Sequence, residues 1–200
     1  MQAGRSPVLD PVVIGLTSFG DAPVMIAATI ALVAALAAMR QLRLAIGVAV
    51  TMLTARLLVA GLKPLIGIAR PSDLYSGVEA FSFPSAHAAM TTTFAGMLFV
   101  LVRPGSVGRS TIRAGLALLV AAMIASRLLL GAHWPSDVLA GFLVGLVFAA
   151  AFGLAYGPFV QESRSLDRAL LATLLAALIF GCARLAVQMP AVLGFYAPAA

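Results

Sequence analysis

The stretch "VLAGFLVGLVFAAAFGLAYGPF", residues 138–159, contains no charged side chain. As a helix it would rise about 33 Å, enough to cross the ~30 Å hydrocarbon core of a bilayer. The rest of the chain points the same way. Of its 200 residues, 62% are hydrophobic and 10% are charged, and the mean hydropathy is +1.07. Soluble domains carry roughly 25% charged residues and need them as surface cover, so a chain of this length reads as one integral membrane domain over residues 1–200.

Working outward from that run, five more apolar stretches meet or approach the length of a membrane span: residues 22–39, 44–62, 85–102, 114–130 and 169–187. The expected fold is an all-α bundle of six transmembrane helices. The fourth span is the weakest, because its charge-free core ends before Arg127; a buried or re-entrant helix is its alternative. Residues 11–19 are expected to form a short interfacial segment. Arg5, Asp10 and Pro11 precede any long apolar run, unlike a signal peptide.

The net charge of +6 is spread between apolar runs, and no basic cluster is interleaved with aromatics, so nucleic acid is not an expected partner. The single cysteine, Cys182, excludes a disulfide within the chain. Arg40 and Arg43, then Arg103, Arg109 and Arg113, then Arg164 and Arg168, fall in alternate connections. Cytoplasmic loops carry the Lys/Arg excess, which places these connections inside and the other two outside.

Those two outer connections and their helix ends nevertheless hold Lys63, Arg70, Arg127, Asp137 and both histidines, on the side where topology does not call for cations. The residues fall in three stretches: "KPLIGIARP" (63–71), "PSAH" (84–87) and "SRLLLGAHWPSD" (126–137). Three cations beside a low-dielectric slab repel one another unless an anion joins them. A phosphoryl group suits, since arginine forks and a lysine point charge match its oxygens. Pro84 and Ser85 signal a helix start, whose unpaired N–H groups favour an anion, with His87 in the first turn. His133 stands just before Pro135, and Asp137 lies one helical turn further on. A carboxylate accepting from one ring nitrogen leaves the other free to act as a nucleophile. Two histidines therefore suggest a nucleophile and an acid; the residues alone leave open which is which, although the Asp137 partner favours His133. No cofactor is expected. No metal is needed either, because the cations and a helix N-terminus already neutralise the phosphoryl oxygens, and Asp73 and Glu79 are isolated in a loop. Trp134 reads as an interfacial anchor.

Lys63 with Arg70-Pro71, "PSAH", and Ser126-Arg127 followed by His133 and Asp137 together resemble the three-part signature of the type-2 phosphatidic acid phosphatase, or lipid phosphate phosphatase, superfamily, as a bacterial membrane-integral member. The resemblance implies that His133 forms a phosphohistidine, Asp137 orients it and His87 protonates the leaving group. It implies phosphate binding by Lys63, Arg70, Arg127, Ser85 and the Ala86 amide. The family usually has Gly where this chain has Ala86; a methyl there narrows the pocket. Arg56, two turns before Lys63 on α-helical spacing, and Arg184 lie within spans, where charges face an interior or a polar cavity; they are candidates to meet a second phosphate or the rest of a lipid head group.

The expected activity is metal-independent hydrolysis of a lipid mono- or diphosphate at the outer, periplasmic face of the cytoplasmic membrane. Candidate substrates are undecaprenyl diphosphate, phosphatidylglycerol phosphate, phosphatidic acid and lipid A phosphates. The alternatives are a phosphotransferase using the same site, or a non-catalytic anion or lipid transporter. The expected partners are the lipid phosphate and membrane lipids; nothing in the sequence sets an oligomeric state.

Overall fold

Every apolar stretch becomes a helix. The structure, a computed structural model, describes residues 9–71, 77–102, 109–160 and 166–195. Seven α-helices follow one another: α1 (Asp10–Ser18), α2 (Ala22–Ala38), α3 (Leu42–Ile66), α4 (Ala86–Leu101), α5 (Arg109–Leu129), α6 (Pro135–Val160) and α7 (Leu166–Phe195). A short 3₁₀ turn, Gly77–Ala80, lies in the α3–α4 connection, and the only bridge among the described residues joins Ala69 to Phe81. The short segment expected at residues 11–19 is α1, and the six expected spans correspond to α2–α7.

Four helices are long and apolar enough to cross a membrane individually: α3, α5, α6 and residues 172–191 of α7. A fifth crossing arises if α1 and α2, bent by 45° at their junction, act as one broken span. The expected order of strength is therefore reversed. The fourth expected span, α5, extends back to Arg109 and passes at 21 residues, whereas the third, α4, has only 16. The sequence reading stopped α5 at its arginines. In the structure Arg113 sits on the helix and donates from Nη2 to the carbonyls of Phe99 (3.2 Å) and Val102 (3.3 Å), satisfying the C-terminal end of α4.

The shorter α4 runs through the protein interior, packed by α6, α5 and α3. Ala88, Ala89, Thr93, Met97 and Leu101 are all buried on it. The helices outside it turn aliphatic side chains outward: Leu118 is 71% exposed, Leu154 85% and Val187 81%. Large aliphatic side chains facing outward while Thr91, Thr92 and Thr93 are buried is what a lipid solvent permits.

The α4–α6 contact is made by small residues four apart: Gly141, Gly145 and Ala149 on α6. A Cβ added at Gly141 would fall on the Ser85 carbonyl oxygen, and one at Gly145 would lie 2.5 Å from Thr92 Cβ and 2.8 Å from the Ala89 carbonyl oxygen. Only glycine lets the two backbones approach so closely, and this approach sets the N-terminus of α6 against that of α4. We expect Gly141→Ala to destabilise the fold by about 1–3 kcal/mol, since backbone cannot yield as a flexible side chain would. The check is the unfolding temperature in detergent, with Gly157→Ala, whose Cβ would meet nothing within 4 Å, as the unchanged control.

Candidate active site

The position of His133 follows from how α5 ends. Gly131 adopts a left-handed conformation (φ 64°). The Gly131 N–H donates to the Leu128 carbonyl (3.0 Å) and the Ala132 N–H to that of Arg127 (3.1 Å). These two bonds form a Schellman cap, which stops the helix and turns the chain at His133. Pro135 then starts α6. The Asp137 carboxylate folds back over this first turn: Oδ2 accepts from the Trp134 N–H at 2.8 Å and lies 3.5 Å from His133 Nδ1. One oxygen thus serves both as helix cap and as neighbour to the ring.

The α3–α4 connection closes over the same point. Gly67, also left-handed (φ 69°), ends α3. Backbone bonds from Arg70 N to Ala80 O and from Ser82 N to Ile68 O fold the loop on itself. The Lys63 ammonium donates to the Phe81 carbonyl (2.7 Å) and the Trp134 indole N–H to that of Ala69 (2.9 Å). Trp134 is therefore a loop fastener, a role its reading as an interfacial anchor did not include. Arg70 donates from Nε to the Glu79 carbonyl (2.6 Å), and from Nη1 to the Ala132 carbonyl (2.8 Å) and to His133 Nε2 (3.0 Å). The Glu79 carboxylate lies 3.6 Å from Arg70 Nη2, so Glu79 is engaged where isolation was expected; Asp73 lies outside the described residues.

A guanidinium has no acceptor, so the bond from Arg70 determines the state of the ring. Nε2 of His133 must present its lone pair, and in the neutral imidazole the proton then sits on Nδ1, towards Asp137. Burial pushes the His133 pKa below its ordinary value; Asp137 pulls it back up, while the Arg127 and Arg70 charges lower it further. The net direction is down, which favours the neutral ring at neutral pH.

His87 has the opposite polarity. Its Nε2 lies 3.0 Å from Asp21 Oδ1, and a carboxylate only accepts, so Nε2 carries the proton. Asp21 holds the N-cap position of α2 yet makes no side-chain capping bond there; its second oxygen lies 3.8 Å from Arg184 Nη2. Ser85 caps α4, its buried hydroxyl accepting weakly from the Ala88 N–H (3.5 Å), while its own N–H donates to the Asp137 carbonyl (3.0 Å). Arg127 is buried at the end of α5 and donates from Nη1 to the Thr17 hydroxyl (2.8 Å).

The sequence-derived set thus gathers at one end of the bundle. Lys63, Arg70, Arg127, His133 and Asp137 cluster directly, and Ser85, Ala86 and His87 stand at the abutting helix N-terminus. Arg56 and Arg184 line a cavity of about 780 Å³ that also touches Ala86, His87, Asp21 and Glu79. Sequence reasoning missed Asp21 and Thr17. The available signal was an acid at the mouth of an apolar run on the same expected face as the histidines.

A family model described as the PAP2 superfamily matches residues 44–161, more than half of the chain and all three signature segments. The chain belongs to the PAP2 superfamily. A decaprenylphosphoryl-5-phosphoribose phosphatase of Mycobacterium tuberculosis is 44% identical to this PAP2 chain over 72 residues, which is 34% of this chain and 34% of that protein. The match thus spans about a third of the curated relative. A solved structure, described as the first transmembrane PAP2-type phosphatidylglycerolphosphate phosphatase from Bacillus subtilis, superposes with a TM-score of 0.70 at 24% identity, covering 80% of this chain and 82% of that one. The likeness shows a shared membrane fold.

Proposed function

We propose that this PAP2 protein is a lipid phosphate phosphatase working through a phosphohistidine, and that the chain forms one six-span domain with its site at the outer face of the cytoplasmic membrane. The observation that carries the reading is the opposite polarity of the two imidazoles. His133 offers a lone pair at Nε2 and His87 a proton at Nε2. A carboxylate partner no longer distinguishes them, since each has one; the proton position does.

In the proposed cycle the phosphoryl group sits among Lys63, Arg70 and Arg127, with the Ser85 hydroxyl and the Ala86 amide at the α4 N-terminus as further donors. Phosphoryl transfer asks chiefly for positioning and charge stabilisation, which such donors supply. The Nε2 lone pair of His133 forms the N–P bond as the bond from phosphorus to the lipid oxygen breaks. His87, acting as the doubly protonated ring that Asp21 supports, gives a proton to that oxygen and becomes neutral, and Asp137 balances the charge on the His133 ring. Water then attacks phosphorus and gives a proton to His87, the N–P bond breaks, and inorganic phosphate leaves with both rings restored. Phosphatidylglycerol phosphate, for which the structural neighbour is named, is among the substrates this chemistry suits, as are phosphatidic acid, lipid A phosphates and undecaprenyl diphosphate.

The test is phosphate release by purified protein in detergent, with chelator, from a panel of these lipids. Release without any acceptor lipid supports a phosphatase; release that requires one indicates a transferase. A pH series adds a signed expectation. The His133 pKa is held below its ordinary ~6.5. The nucleophile therefore stays unprotonated as pH falls through that value, and the acid limb of kcat/KM that His133 carries lies on its acid side. Asp137→Asn removes the upward pull and moves that limb further to acid, along with a lower kcat.

A further inference from the structure

The 780 Å³ cavity has two unlike ends. Helices α2 and α3 run antiparallel along it. Met25, Ile26, Ile30 and Val33 of α2, with Leu53 and Ala49 of α3, form its walls. Measured along α2 from Asp21 to Ala34 it extends about 20 Å at 1.5 Å per residue. Its ionisable lining residues, Asp21, Arg56, Glu79, His87 and Arg184, all belong to the end where α2 begins. The apolar length suits a lipid tail, and the ionisable end adjoins the nitrogen that would protonate the leaving oxygen.

The charges at that end do not balance. Asp21 is shared between His87 and Arg184, and Glu79 lies against Arg70. Arg56 forms no hydrogen bond or ion pair among the described residues, although it sits inside a helix long and apolar enough to span a membrane. A charge on a spanning helix is held by a counter-charge or turned to a polar cavity, and Arg56 lines this one. Among the described residues, both carboxylates lining the cavity already face other groups, which leaves the anion to the bound molecule.

Position then decides where on the substrate that anion lies. The scissile phosphoryl group is assigned to Lys63, Arg70 and Arg127, the leaving oxygen to His87, and the tail to the α2–α3 crevice. Arg56 lies one helical turn from Leu53 and Met52 of that crevice and lines the same cavity as His87. We infer that Arg56, with Arg184 held in the same cavity by Asp21, reads a second phosphoryl group on the leaving-group side, so that the preferred substrates are lipids with an inner phosphate between the tail and the scissile phosphate. This rests on the phosphatase reading above. Two lipid types share that chemistry: a prenyl diphosphate, whose inner phosphate is itself the leaving group, and phosphatidylglycerol phosphate, whose inner phosphodiester is one glycerol away.

The experiment compares kcat/KM of wild type, Arg56→Gln and Arg56→Lys on undecaprenyl diphosphate and phosphatidylglycerol phosphate, against undecaprenyl phosphate and phosphatidic acid, which lack the inner phosphate. Arg56→Gln is expected to lose tenfold or more on one or both inner-phosphate lipids while changing less than threefold on the other two, with Arg56→Lys recovering part of the loss. A loss on only one inner-phosphate lipid tells which spacing is read. Equal loss on all four, or no loss on any, overturns the inference and leaves the phosphatase reading standing. Failure of wild type to release phosphate from all four lipids overturns both.

Discussion

His133→Gln is expected to leave a folded protein that releases phosphate from lipid phosphates about 10⁴-fold or more slowly than wild type, the scale on which loss of a nucleophile within a concerted set is felt. Glutamine can still accept from Arg70, so the neighbouring loop retains its anchor, but its amide cannot form an N–P bond. The decisive readout is acid-quenched protein after mixing with a labelled aryl phosphate carrying a good leaving group. Wild type should show acid-labile, base-stable label on the chain, and His133→Gln none. His87→Gln should still take up label, because a good leaving group departs without a proton, and should release it slowly, because water then lacks its base. Label on His133→Gln, or loss of label only in His87→Gln, would exchange the two assigned roles.

Arg127 carries the second large effect. Lys63, Arg70 and Arg127 are close enough for their charges to oppose one another, and Arg127 is buried with only 1% of its surface exposed. Arg127→Lys preserves the charge but not the planar fork, and Arg127→Met removes both. Losses of about 10²–10³ in kcat/KM are expected for Arg127→Met, the range found when one donor to a transition-state oxyanion is removed, and a smaller but clear loss for Arg127→Lys. The thermal response should separate a ligand-binding role from a structural one. Inorganic phosphate or vanadate should raise the unfolding temperature of wild type, because it binds only the folded site, and should not raise that of Arg127→Met. If Arg127→Met unfolds during purification while Thr17→Val, which removes its 2.8 Å partner, behaves normally and retains full activity, then Arg127 serves the fold and the phosphate assignment fails.

How far each feature was legible depends on the distance over which its physics acts. An apolar helix is written locally, as a run of apolar residues between turn signals, so all six runs were recoverable as helices and became α2–α7, of which four are individually long enough to span. The helix starts at Ser85 and Pro135 and the stop at Gly131 are also local. They place His87 and His133 at helix ends before anything is known of packing. Span length was harder to read, because arginines on α5 were taken as its limit although Arg113 folds back onto the carbonyls of α4.

The sequence by itself therefore pointed to an all-helical membrane protein of the PAP2 type and nominated most of the residues of its candidate site, though not Asp21 or Thr17. What only the tertiary structure decided is which of those residues face each other and in what protonation sense. Asp21 meets His87 across 66 positions, and Arg70 meets His133 across 63. Arg56 and Arg184 share a cavity although they lie on different helices. The second of these pairings, Arg70 with His133, depends on Gly141 and Gly145, which let α6 lie backbone to backbone on α4 and bring the α5–α6 turn under the α3–α4 connection; the small-residue spacing on α6 is legible in the sequence, but its partner helix is not. The hydrogen bond from a guanidinium to one imidazole, and from the other imidazole to a carboxylate, then gives two chemically identical rings opposite polarity.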